Sequence, residues 1–364
     1  MCLGIPLVWS DHHRLHEPGG EVWVGVRTPG TEVPERAERI RAAVEAAGAP
    51  VVEAEDAPDD VALRFHDPAL VAWLRDSWDL WEEAGLGEDP GQNRVVPYLF
   101  AHPGLIGELP LIDPAATTAR AGRFAFDTMT LIGPGTWQAA RGAVDAALTA
   151  VGLVTAGAPA AYACCRPPGH HATRDAHGGS CYLNNAAAAA GSLRDATGGP
   201  VAVLDIDAHH GNGTQSIFWS DGEVATGSVH VDPGAGWFPH FLGFADERGT
   251  GPGAGTNLNL PLAPGSGDGP WLDAVASLCD FARSSGARAL VVALGVDAAG
   301  GDPESPLEVT SDGYRAAGEL LGGLGLPTAI VQEGGYDLET IGELVVATLE
   351  GIEGFSSATG SPAG

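Results

Sequence analysis

The residues best equipped for chemistry lie in one run, Leu204-Asp205-Ile206-Asp207-Ala208-His209-His210-Gly211-Asn212-Gly213-Thr214-Gln215. Apolar residues from Val201 precede it, so the run leaves a buried strand. Alternate residues of a strand point the same way, which puts Asp205, Asp207 and His209 on one side. A carboxylate facing a core is costly unless it is paired or bound to a metal. A carboxylate and an imidazole two residues apart make two legs of a catalytic zinc site, which uses three protein ligands and keeps one position open. The third leg is expected from another strand end. Asp297, after the apolar run Ala289–Leu294 and Gly295-Val296, is the natural candidate. An oxygen-rich set of this kind suits Zn²⁺ and also admits Fe²⁺. One such aspartate alone reads as a helix cap; the set together does not.

Two further segments carry polar chemistry. In Pro167-Pro168-Gly169-His170-His171 the prolines stiffen a turn and the glycine lets the backbone come close. Two adjacent imidazoles held this way can serve one water and one leaving group as acid and base. Tyr336, after Gly334-Gly335, can offer its hydroxyl to a pocket, although Gly-Gly-Tyr by itself is also an ordinary turn. His12, His13, His66 and His102 read as structural histidines, and Trp73, Trp78 and Trp81 as core.

These residues need a scaffold, and the pattern around them supplies one. Strands are expected over Ala160–Cys164, Val201–Ile206, Val224–Val231, Ala289–Leu294 and Thr328–Gln332. Helices are expected over Glu35–Ala47, from Asp67-Pro68 onward, and over Trp137–Ala156, Asn184–Ala196, Leu272–Ser284, Tyr314–Leu324 and Glu339–Leu349. Alternation of strand and helix predicts a single α/β domain, residues 1–351, with a mostly parallel sheet covered by helices on both faces. In such sheets the site lies outside the carboxyl ends of the strands, where the polar residues cluster. Residues 85–123 show no clean periodicity and read as a lid or an oligomer contact. Residues 352–364, rich in Gly and Ser, read as a flexible tail.

Composition narrows the function. The chain has 364 residues, 44% of them hydrophobic, ample for a core. Lys and Arg total 18 against 47 Asp and Glu, a formal charge of −29. Such a surface repels nucleic acid and anionic membrane and attracts cations. Five scattered cysteines are no disulfide framework; reduced thiols and a cytoplasmic setting are expected. Residues 1–10 lack the features of a signal peptide, and no apolar run reaches the length of a membrane span.

At Arg166–Ala172, Gly179–Asn185, Asp205–Gln215, Gly295-Val296-Asp297 and Glu333–Tyr336 the chain resembles histone deacetylases and their relatives. Gly133–Trp137, Phe238–Gly243 and Gly251–Leu262 look most like the bacterial acetylpolyamine amidohydrolases of that superfamily. The resemblance spans about Arg36 to Leu349 and implies an arginase/deacetylase-like fold. It implies that Asp207, His209 and Asp297 hold Zn²⁺ and that His170 and His171 are the acid–base pair, oriented by Asp205 and Asn212 respectively. Tyr336 would donate to the substrate carbonyl. Gly179, Ser180 and Phe238 would line the substrate tunnel, with Glu21 and Asp127 as candidates for gripping a cation. Asp205, Asp207 and His209, with Ser228, resemble a site for K⁺ or Na⁺. Ser180 departs from the pattern, standing where relatives carry an aromatic residue, which implies a wider tunnel. The implied activity is deacetylation of a small cationic acylated amine, acetylpolyamine first, by a homodimer. Protein acetyl-lysine, or another small amide, is the alternative. A two-metal, arginase-like site is disfavoured, because Gly211 and Ala299 occupy the positions of its additional ligands. A non-catalytic binder would be expected to lack a ligand or Tyr336, and none is missing.

Overall fold

The computed structural model describes residues 2–88 and 92–359. Its centre is an eight-stranded sheet. The strands are β1 (Leu7–Trp9), β4 (Val51–Glu53), β5 (Ala160–Ala163), β6 (Val201–Asp205), β7 (Val224–Val231), β8 (Asn257–Leu262), β9 (Ala289–Leu294) and β10 (Thr328–Gln332). They run in the order β4-β1-β5-β10-β9-β6-β7-β8 and pair in parallel throughout. A separate antiparallel hairpin joins β2 (Glu21–Trp23) to β3 (Val26–Thr28).

Helices cover both faces, which is why the central strands read as unbroken apolar runs. On one face the sheet packs against α1 (Pro34–Ala46), α9 (Asp268–Ser284), α10 (Ser311–Gly322) and α11 (Ile341–Thr359), with Trp271, Leu278, Tyr314 and Val345 in the core. On the other lie α6 (Thr136–Thr155) and α7 (Asn185–Thr197). Both helices are rich in alanine, and small side chains let them settle close to the strands. A further layer sets Trp73 and Trp81 of α3 (Pro68–Glu83) against α6, so these tryptophans are core. The short helices are α2 (Asp59–Ala62), α4 (Pro103–Ile106), α5 (Thr117–Arg123) and α8 (Asn212–Phe218).

Three expectations need amendment. Residues 85–123, read as free of regular structure, include α4 and α5 and an isolated bridge from Val95 to Ile132; residues 89–91 lie outside the described part. The last helix does not end at Leu349 but continues to Thr359, into the segment expected to fray, and residues 360–364 lie outside the described part. β1, β4 and β8 were not foreseen. Three residues are too few to show a period, and β8 carries Asn257 and Asn259 at a sheet edge. Among the described residues no helix is long and apolar enough to cross a membrane. All five cysteines are free thiols, and only Cys2 is exposed.

Candidate active site

Four neighbouring strands, β5, β10, β9 and β6, deliver the polar segments to one place. Their carboxyl ends lead into residues 166–171, 333–336, 295–297 and 205–212. The sequence separates these segments widely; the strand order sets them side by side.

Asp207, His209 and Asp297 converge so that their ligand atoms lie within 4.8 Å of one another. His209 Nδ1 stands 3.2 Å from Asp207 Oδ1 and 2.9 Å from Asp297 Oδ2. The remaining carboxylate oxygens accept backbone donors: Gly334 N–H reaches Asp207 Oδ2 (2.7 Å) and Ala208 N–H reaches Asp297 Oδ1 (2.8 Å). Gly334 must be glycine, because a Cβ there would collide with both carboxylates. Both aspartates are fully buried. Burial and the neighbouring Asp207 push the Asp297 carboxyl up to about 7. Burial also works to raise Asp207, yet His170 and His209 hold it below the usual carboxylate range. Two buried carboxylates beside one imidazole are a set that a divalent cation fits and neutralises.

The adjacent histidines have opposite surroundings. His170 Nδ1–H donates to Asp205 Oδ2 (2.9 Å), and His170 Nε2 lies 3.9 Å from Asp207 Oδ1. Burial depresses its pKa, but Asp205, Asp207 and Glu333 outweigh that and raise it to about 10. His171 Nδ1–H donates to Asn212 Oδ1 (2.7 Å), while the Asn212 amide nitrogen faces the His171 carbonyl (3.4 Å). Burial, then the charges of His170 and His209, hold His171 far below the usual imidazole value. The surroundings thus favour the protonated form of His170 and the neutral form of His171, and the two ring centres lie 4.0 Å apart.

A cavity of about 440 Å³ opens on this machinery. His171, His209 and Tyr336 line it, with Gly179, Ser180, Met129, Trp237 and Phe238. Phe238 stands edge-on to His171, 4.9 Å between ring centres. Gly179 adopts φ +57°, and a Cβ there would strike the His171 ring. Arg36 packs its guanidinium 4.5 Å over the Tyr336 ring, and Asp302 Oδ2 accepts Tyr336 N–H (2.7 Å).

Glu21, brought in by the hairpin, lines the cavity together with Glu304. Burial, Glu304 and Asp127 push its carboxyl up to about 7. Asp127 itself does not line this cavity. Its carboxylate accepts from Met129 N–H, Thr130 N–H, Thr130 Oγ1 and Gly179 N–H, and so braces the Gly179–Ser180 turn from beneath. Ser228 pairs with Asp205 across β6 and β7, and its hydroxyl contacts His230 Nδ1 (2.8 Å). His13, His66 and His102 have structural partners: Trp9, the Thr173 carbonyl and Gly104 N–H. Arg36, Asp302, Glu304 and Glu333 went unnoticed as site residues in the sequence. For Glu304 the available signal was its place in Asp302-Pro303-Glu304, just beyond the loop that bears Asp297. His170, Cys181 and Glu333 also lie close together. They make a poor metal set, since Asp205 already occupies His170 Nδ1 and burial raises the Cys181 thiol far above its ordinary pKa.

Comparison with known proteins identifies the family and agrees with the fold. The family model of the histone deacetylase domain matches residues 30–352. Acetylpolyamine amidohydrolase 1 of Pseudomonas aeruginosa is 41% identical over 348 residues, 95% of this chain and 98% of that protein. The acetylpolyamine amidohydrolase of Mycoplana ramosa is 39% identical, covering 96% of this chain and 99% of its own. The crystal structure of an acetylpolyamine aminohydrolase from Burkholderia pseudomallei superposes with a TM-score of 0.90 at 38% identity, covering 97% of this chain and 99% of that one. The chain belongs to the histone deacetylase family.

Proposed function

We propose that the protein is a zinc-dependent amidohydrolase that deacetylates small cationic acylated amines, acetylpolyamines first among them. One observation carries the reading: His209 of the three-ligand set Asp207, His209 and Asp297 opens on one cavity together with His171, Tyr336 and the carboxylates of Glu21 and Glu304.

Asp207, His209 and Asp297 are the residues that would hold the metal. A bound Zn²⁺ supplies Lewis acidity to the acyl carbonyl and lowers the pKa of a water to about 7. His171 lines the cavity and His170 does not. With Nδ1–H committed to Asn212, His171 keeps Nε2 free to accept the proton of the attacking water. The same nitrogen then returns that proton to the leaving amine, which departs as the C–N bond breaks and leaves acetate. His170 stays protonated beside Asp205 and offsets the negative charge that develops at the acyl carbon's oxygens. The Tyr336 hydroxyl donates to the oxyanion, a contribution of about 3 kcal/mol in comparable sites.

Glu21 and Glu304 favour an amine that carries a second positive charge, and the −29 formal charge points the same way while opposing nucleic acid. Ser180, where an aromatic residue was the expectation, leaves room for an acyl group larger than acetyl. Exposed apolar side chains, among them Trp23, Val24, Leu109, Ile112 and Phe241, suit cover by a second copy, so the reading includes a homodimer. The reading includes a K⁺ or Na⁺ ion near Asp205, Asp207, His209 and Ser228, which the pairing of Ser228 with Asp205 across β6 and β7 supports, and free thiols accord with the cytoplasm.

The test is acetate release from N-acetylputrescine, N-acetylspermidine and an acetyl-lysine peptide by zinc-loaded protein, chelated protein and the His171→Ala variant. Turnover of the small polyamines that needs both zinc and His171 is expected. Turnover of the peptide alone would move the assignment to protein deacetylation, and no turnover of any would overturn it.

A further inference from the structure

Glu333 is fully buried at the end of β10, and beyond its charge beside His170 no role has been assigned to it above. Its Oε2 accepts two successive backbone donors, Gly169 N–H (2.7 Å) and His170 N–H (3.0 Å). Among the described residues its Oε1 has no hydrogen-bond partner. The residue's own backbone is held on both sides. Its N–H donates to the Leu294 carbonyl (2.8 Å), and its carbonyl accepts from Arg36 (2.7 Å). The next residue, Gly334, donates to Asp207. Glu333 is therefore a fixed point from which one carboxylate oxygen reaches across to the histidine turn.

That turn needs such a point. Residues 166–171 follow β5 without a continuing ladder partner. The His170 carbonyl is taken by Gly213 N–H (2.9 Å) and Thr214 N–H (3.1 Å) of α8, which fixes one side of the peptide chain. Glu333 takes the N–H groups on the other side. Without an acceptor, two buried N–H groups are left unpaired, each at a cost comparable to a lost hydrogen bond. The backbone would shift to find one, and both imidazoles would move with it. Asp205 and Asn212 orient the rings, and Asn212 also reaches the His171 carbonyl at 3.4 Å, but neither takes the Gly169 and His170 N–H groups, which go to Glu333.

We propose that Glu333 is a positioning residue for the two histidines, acting by reach: its carboxylate binds the Gly169 and His170 N–H groups and fixes where His170 and His171 stand. The proposal rests on the reading of His171 as the proton carrier and His170 as its charged neighbour. The rival explanation is that Glu333 acts through its charge on His170.

Two variants separate reach from charge. E333Q keeps an acceptor oxygen at full length and removes the charge. E333D keeps the charge and withdraws the acceptor by one methylene. Each full-length protein, zinc-loaded, is measured for kcat and KM on the acetylated amine that the wild type accepts, for zinc content and melting temperature, and by crystallography. E333Q is expected to keep kcat within about threefold, its turn superposable on the wild type to within about 0.5 Å. E333D is expected to lose about 100-fold in kcat, with KM and zinc content unchanged and Gly169–His171 displaced. A large loss in E333Q, or an unimpaired E333D, overturns the proposal. If E333D does not fold, E333Q still decides, because retained kcat is required of it. A wild type inert on every acetylated amine would overturn the activity alone, and the displacement of the turn would still test Glu333.

Discussion

At the scale of single residues, the proposed function divides the site between groups that would react and groups that would choose. Tyr336 belongs to the first. Tyr336→Phe removes only the hydroxyl, leaving the ring beneath Arg36, so zinc content should stay unchanged while kcat falls about 100- to 1,000-fold, as when other oxyanion donors are removed. Steady-state kinetics with metal analysis checks this; a kcat within threefold of wild type would remove Tyr336 from the mechanism. Glu304 belongs to the second. Its carboxylate shares the cavity with Glu21 and accepts from Thr31 Oγ1 (2.7 Å). Glu304→Gln should raise KM for an acetylpolyamine about fivefold and leave KM for a neutral acetyl amide of similar length unchanged, a partial loss suited to a half-exposed charge. Equal effects on both substrates would show that Glu304 is not read as a charge.

At the scale of elements, the loops of the site are held by helix ends. Asn184 caps α7 through its side chain, and its own N–H is accepted by buried His66 Nε2, whose Nδ1–H donates to the Thr173 carbonyl (2.9 Å). His66 thus ties the α7 start to the segment that follows the His170–His171 turn, and it does so only as neutral imidazole. Burial, more than the Thr173 carbonyl can offset, lowers its pKa to about 4. The unfolded chain takes up this proton near pH 6.5 and the folded chain only near 4, so the unfolded state binds more protons in between. Stability from this group is complete above about pH 6.5 and declines as pH falls toward about 4, by about 3 kcal/mol at most. Melting temperatures across that window should fall more steeply in the wild type than in His66→Gln. Parallel curves would show that His66 is not the linked group.

At the scale of the whole molecule, charge and exposed apolar surface are the features to explain. A net −29 creates a field that draws cationic substrate from a distance, and salt screens it, the Debye length falling from about 30 Å at 0.01 M to about 8 Å at 0.15 M. For an acetylpolyamine kcat/KM should fall several-fold over that range, while for a neutral acetyl amide it should stay flat. Kinetics at a series of salt concentrations tests this, and a flat profile for both would confine substrate recognition to the cavity. The apolar residues lie on the β2–β3 hairpin, in the stretch around Leu109 and Ile112, and at Phe241, so an oligomer contact would involve several chain segments and not residues 85–123 alone.

The sequence by itself determined the kind of chemistry and much of the scaffold. Asp207 and His209 are tied by two residues of chain, His170 and His171 by one bond, and long buried strands such as Ala289–Leu294 and Thr328–Gln332 are marked by their own apolar runs. Local covalent spacing and local periodicity carry that information. Only the tertiary structure decided that β5, β10, β9 and β6 lie side by side, bringing Asp297 to Asp207 and Glu333 to His170 across long stretches of chain. It also decided that Asp127 braces a turn, that Glu304 shares a cavity with Glu21, and that the pKa values of two adjacent histidines are pushed in opposite directions. Those outcomes depend on burial and on charges contributed by distant segments, and neither is a property of the residues next in the chain.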